Sequence, residues 1–225
     1  MKKKWNAVLL YLKATANPFM IAVAMFIMGN NFFMLATRQS YILTDNNVYM
    51  NTIRVVCIGQ IGVFLFMSIG INKTQLGKFY QAVSCAKDLY LFAPITIAFS
   101  ISILYNVIIA ILVGVNLNNS AVSDVIIFNS ISGAMVATAS ACLKRKNVLP
   151  CIAPYLGYFI FTGEIGENQF VSSGFGLPVG VSILIACGIY TFGIIYAYIM
   201  LRIWWKKGDR FTQPNKYTMN VFGGQ

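Results

Sequence analysis

Long apolar stretches alternate with short polar ones along the whole of this chain. Six of the stretches read as helices that cross a bilayer: residues 18–36, 50–71, 89–115, 122–143, 148–162 and 179–204. A spanning helix needs about 20 mostly apolar residues to cover the hydrocarbon layer. Pro18 suits the first helical position of the first span. The third span is long enough to tilt. The fifth is short and holds Pro150 and Pro154. Between the fifth and sixth lies a Gly-rich segment, Gly163–Pro178, that carries Glu164 and Glu167. It reads as an external loop that lies along the outer membrane or dips into it, where irregular backbone needs shielding by protein or water. Residues 1–210 form one membrane domain, and residues 211–225 form a polar tail without strong periodicity. The expected fold is an all-α integral membrane protein with six transmembrane helices.

Charge orients this arrangement. Basic residues concentrate on the cytoplasmic side of membrane proteins. One side carries Lys2, Lys3, Lys4, Lys13, Lys73, Lys78, Lys87, Lys144, Arg145 and Lys146, then Arg202, Lys206, Lys207, Arg210 and Lys216. The other side carries only Arg38 and Arg54. Asp45, Asp124, Glu164 and Glu167 fall on that sparsely basic side, and only Asp88 and Asp209 on the basic one. Both termini are therefore expected in the cytoplasm, and the chain in the plasma membrane.

Composition supports the same class. Of the 225 residues, 58% are hydrophobic and 10% charged, against about 25% charged in a soluble domain. The net charge of +11 follows from topology, so it does not point to nucleic acid as a partner. Cys57, Cys85, Cys142, Cys151 and Cys187 are scattered, with no CxxC, and read as small hydrophobes. The chain has no His, which removes the commonest metal ligand and general base. It has no GxxxxGK[ST], HExxH or GxSxG motif. No catalytic, cofactor-binding or metal-binding residues are expected, and the chain does not read as an enzyme.

Two segments beside the spans are patterned as amphipathic helices. Trp5, Val8, Leu9 and Leu12 fall on one helical face, flanked by Lys2, Lys3, Lys4 and Lys13. This face suits the headgroup plane, as a topological anchor or as an elbow helix feeding the first span. The connector after the second span runs from Asn72 to Asp88, and Leu76, Phe79, Tyr80 and Val83 repeat the spacing. It reads either as a second surface helix or as an aromatic docking knob for a soluble partner.

Several polar residues fall inside the spans: Asn30 and Asn31, Arg54 and Gln60, Asn106, then Asp124 and Asn129. Such groups are costly in a bilayer. Hydrogen bonds between helices are the preferred reading, with Arg54 and Asp124 as a pair if their helices are neighbours. Gly133, Ala137 and Ala141 form a ridge of small residues in the fourth span, suited to tight packing inside the chain or to a dimer seam.

The segment from Lys78 to Tyr90, together with the order of elements, resembles the membrane subunit of ABC-2 type ABC transporters. That family combines six spans, cytoplasmic termini, an elbow helix, a coupling helix between spans two and three, and a re-entrant piece between spans five and six. The stretch Lys78-Phe-Tyr-Gln-Ala-Val-Ser-Cys-Ala-Lys-Asp-Leu-Tyr90 is similar to the family's R-x-Y-x-x-L-P-x-S/A-R/K neighbourhood, with Val83-Ser84 where Leu-Pro is frequent. The resemblance implies that residues 1–210 are an ABC-2 type transmembrane domain. It implies a permease subunit of an exporter, paired with an identical or homologous permease. It also implies a separate cytoplasmic ABC ATPase that binds ATP and Mg and docks on Leu76, Phe79, Tyr80 and Val83. Hydrophobic peptide, lantibiotic or lipid-like cargo is what the family suggests. Two other readings stay open: the small-molecule-binding membrane component of an energy-coupling-factor-type importer, and a non-transporting scaffold or immunity factor.

Overall fold

A computed structural model of the chain describes residues 2–36, 48–67, 84–116, 119–143, 149–167 and 175–207. The described residues are almost entirely helical, and no strand occurs among them. The helices are α1 (Lys2–Thr15), α2 (Pro18–Ala36), α3 (Val48–Gly59), α4 (Ile61–Leu65), α5 (Ala86–Asn116), α6 (Asn119–Cys142), α7 (Leu149–Glu167) and α8 (Val179–Lys206). Three contain stretches long and apolar enough to cross a membrane: Ala86–Val115, Val122–Cys142 and Val179–Lys206. Shorter apolar stretches occupy Ile21–Phe33, Val55–Leu65 and Cys151–Gly163.

The helix α6 is the axis of the bundle. It packs against α3, α4, α5, α7 and α8. Its apolar window is 89% buried, against 22% for that of α8. Small side chains make this enclosure feasible, because they let neighbouring helices approach closely. Gly133, Ala137 and Ala141 are all buried, so the small-residue ridge packs inside the chain. The opposing stripe of α8 is Ser182, Ala186, Tyr190, Gly193, Ala197 and Leu201. Its four-four-three-four-four spacing keeps one face of that helix on α6. A Cβ added at Gly193 would sit 3.1 Å from the Phe99 ring and 3.2 Å from the Thr138 hydroxyl. The outward faces are apolar and exposed, including Phe26 and Phe33 of α2 and Leu184 and Phe192 of α8.

Two elements depart from the sequence expectation. The second apolar run is not one helix. It divides at Gln60 into α3 and α4. Gln60 itself keeps right-handed helical dihedrals (φ −61°, ψ −19°), so the interruption is a tightened turn between Gly59 and Gly62. The fifth run extends beyond residue 162 to Glu167. Glu164 and Glu167 thus stand in the last turns of a helix; their side chains lie outside the described residues.

The N-terminal helix docks along α5. Ala7, Val8 and Tyr11 are buried there in a cluster with Leu89, Tyr90 and Ala93. Leu12 packs partly on the same cluster, while Trp5 and Leu9 are exposed. The expected four-residue face is therefore divided between protein contact and the outer surface. Lys4 Nζ sits 5.2 Å from the centre of the Phe92 ring, a cation–π contact. Ala16 and Asn17 separate α1 from α2.

Candidate functional site: a polar centre at a broken helix

The break between α3 and α4 sits among polar side chains from α5, α6 and α8. Gln60 is fully buried. Its Nε2 donates to Asn129 Oδ1 at 2.8 Å, and its Oε1 accepts from Ser102 Oγ at 3.1 Å. Asn129 Nδ2 donates in turn to Asn106 Oδ1 at 3.1 Å, and Asn106 Nδ2 donates to Ser130 Oγ at 2.7 Å. The hydroxyls of Ser102 and Tyr190 lie 3.2 Å apart. One chain of hydrogen bonds thus links the centres of four segments. A buried amide without partners is expensive, so these groups hold each other's preferred positions.

Glycine makes room for this centre. A Cβ added at Gly133 would lie 2.6 Å from the Tyr190 hydroxyl and 2.9 Å from Gln60 Nε2, and would crowd Ser102 Oγ as well. At Gly59, an added Cβ would collide with the Tyr105 hydroxyl and Asn31 Nδ2.

The turn at Gln60 departs from α-helical bonding, and tyrosines from two other helices add hydrogen bonds to its carbonyls. Gln60 N donates to Cys57 O at 3.2 Å, a tighter turn than α-helical bonding. Tyr105 of α5 donates to Val56 O at 3.3 Å. Tyr158 of α7 donates to Cys57 O at 3.0 Å and lies 3.3 Å from Ile58 O. Irregular backbone shut away from water persists where protein re-satisfies it in this way.

A second polar junction lies toward the other end of α6. Asp124 is buried, and its Oδ1 accepts from Phe175 N at 2.8 Å. The Phe175 ring lies 5.3 Å from that of Phe128. The hydroxyls of Ser123 and Ser182 hydrogen-bond to each other. Together these contacts fix residues 175–178 ahead of α8, with Gly176 at φ +60°, a conformation glycine adopts freely.

The expected site residues separate into two groups. Gln60 and Asn106 join the polar centre, and Asp124 anchors the start of α8. The Arg54 side chain and the whole of Leu76, Phe79, Tyr80 and Val83 lie outside the described residues. Sequence reasoning named Gln60, Asn106 and Asn129 but not their pairing, and it missed Ser102, Tyr105, Tyr158 and Tyr190. Among the described residues, no cluster of His, Cys, Asp or Glu is suited to hold a metal ion. No family model, no characterised protein and no solved structure matches the chain.

Proposed function

We propose that this chain is the permease subunit of an ATP-driven ABC-2 type exporter, with six spans and both termini in the cytoplasm. It moves a peptide or another amphipathic or hydrophobic cargo across the plasma membrane. A separate ABC ATPase supplies nucleotide chemistry, and a second permease, identical or homologous, completes the pathway. The reading rests chiefly on the order of elements. A basic amphipathic helix precedes the first apolar helix, and a patterned basic connector, residues 72–88, follows the second. The helices α2, α3 with α4, α5, α6, α7 and α8 occur in the positions of the six apolar runs.

The contacts at the break are compatible with alternating access. Spans one, two and five are the ones that rock in this reading. Here α2 packs on α3 and α4, and α3 packs on α7. The Tyr158 hydroxyl ties α7 to the last turn of α3. Those spans also pack directly on α5 and α6, and the bonds Gln60–Asn129, Ser102–Gln60 and Tyr105–Val56 add polar links across the same contacts. In this reading, movement of those spans would have to exchange these bonds, each worth about 1 kcal/mol, together with part of that packing.

The importer component is the second reading, and the polar centre is the feature that favours it. A vitamin-sized ligand needs convergent polar groups. In this structure Gln60, Asn129 and Asn106 spend their hydrogen bonds on each other, which weighs towards a structural role. The deciding experiment is a pull-down from native membranes, with wild type beside the double variant Phe79→Ala, Tyr80→Ala. An ABC ATPase recovered with wild type and lost with the variant supports the permease. Recovery of no ATPase, with a tightly retained small ligand, transfers the assignment to the importer component. Equal ATPase recovery from both proteins removes the coupling role of Phe79 and Tyr80.

A further inference from the structure

A groove of about 630 Å³ opens on the outer surface of the bundle between α6, α7 and α8. That is within the roughly 300–1,000 Å³ typical of small-ligand clefts. Met135 and Thr138 line it from α6, Pro154 from α7, and Gly188, Phe192 and Tyr196 from α8. The lining is overwhelmingly apolar. It continues along α8 over exposed Ile199 and Ile203 to a cationic end, where Arg202, Lys206 and Lys207 are all exposed. The Lys207 ammonium lies 6.0 Å from the centre of the Trp204 ring.

Helix geometry aligns the two features. Arg202 and Lys206 follow Gly188 by about four and about five helical turns, which returns both to its side of α8. Phe192 lies about 15 Å above Arg202 along the axis, close to the depth of one hydrocarbon leaflet. A tail that enters at the level of Arg202 therefore ends among Phe192, Gly188 and Met135. The glycine matters here, because a Cβ added at Gly188 meets nothing within 4 Å. The groove floor at that point is open space rather than a packing contact.

We propose that this groove is a binding site for one anionic phospholipid, its acyl tail between α7 and α8 and its phosphate held by Arg202, Lys206 and Lys207. Charge decides the headgroup, since among the described residues the three ionisable side chains at that end of α8 are all cationic. An apolar peptide would fit the groove but gains nothing from them. The proposal rests on the bilayer placement above and is independent of transport or of any ATPase.

The test is native mass spectrometry of the full chain in detergent, with phosphatidylglycerol or phosphatidylcholine of equal chain length added. Wild type should retain one phosphatidylglycerol in preference to phosphatidylcholine by about fivefold or more, the effect of one basic residue near an anionic headgroup. Replacing Arg202, Lys206 and Lys207 together by Gln should abolish the preference. Gly188→Trp, and separately Ala153→Phe on the α7 wall, should remove the retained lipid. Wild type should also be labelled at Met135, Phe192 or Tyr196 by phosphatidylglycerol bearing a diazirine at the tail end. This last measurement needs no variant to fold. Equal retention of both lipids by wild type, or labels confined to α2, would overturn the site. The pull-down above reads residues 79 and 80, so either result can fail without the other.

Discussion

The side-chain amide of Gln60 donates to the side-chain carbonyl of Asn129 at 2.8 Å, fastening the break in the second apolar segment to the centre of α6. This bond makes Gln60 a joint rather than an isolated polar residue in an apolar run. It also yields the most direct test of the polar centre.

Gln60→Leu should destabilise the protein by roughly 1–2 kcal/mol, because Asn129 and Ser102 then lose a partner in a low-dielectric interior. Asn129→Leu should cost a similar amount, and the double variant should cost clearly less than their sum. Thermal unfolding of the four proteins in one detergent supplies the cycle. Full additivity would mean that the two amides do not act together.

Two glycines of similar appearance should respond in opposite ways. Gly133→Val forces a side chain into the space shared by Ser102, Tyr190 and Gln60, and overpacking of this kind costs about 1–3 kcal/mol. Gly188→Val extends into open space and should leave the unfolding temperature nearly unchanged. Equal losses at both sites would contradict the packing described.

Tyr158→Phe removes a hydroxyl that caps the broken end of α3. A loss of about 1 kcal/mol is expected. Faster amide exchange should appear at residues 60–63, beside the break, while α8 keeps its protection. Tyr105→Phe should act on the same turn through Val56, with a smaller effect because its bond is longer. Exchange that rises uniformly along the chain would point instead to general destabilisation.

Orientation can be read with single cysteines placed in a version with its five native cysteines replaced. An impermeant maleimide applied to intact cells should label Asn46→Cys and Asn118→Cys. It should reach Lys4→Cys and Lys207→Cys only after the membrane is opened. The reverse pattern would invert the topology drawn from Lys and Arg placement.

The apolar runs were legible because a helix rich in Leu, Ile, Val and Phe is recognisable from composition alone. The break at Gln60 was harder to see. Its signal was Gly59 and Gly62 around one amide, but either glycine alone also suits close helix packing. Partners in the polar centre were not legible at all, since Asn106, Asn129 and Tyr190 meet only once the order of helices around α6 is known. Tyr105 and Tyr158 look in sequence like bulk for a bilayer, and their hydroxyl bonds depend on carbonyls of another segment. On α1, periodicity marked the apolar face containing Val8 and Leu9. It could not divide that face between contact with α5 and the outer surface, because both environments reward the same side chains.

The enclosure of α6 bears on how the chain is made. Asn129, Ser130 and Ser132 give the most deeply enclosed helix an unfavourable start in lipid, and their neighbours on α5 and α8 are synthesised before and after it. When α6 leaves the ribosome, α5 is already available to receive Asn129 and Ser130, but Tyr190 and the small face of α8 are not. A chain arrested before residue 179 should therefore hold α6 loosely and be open to membrane proteases. Completion of the last helix closes the bundle around its own centre.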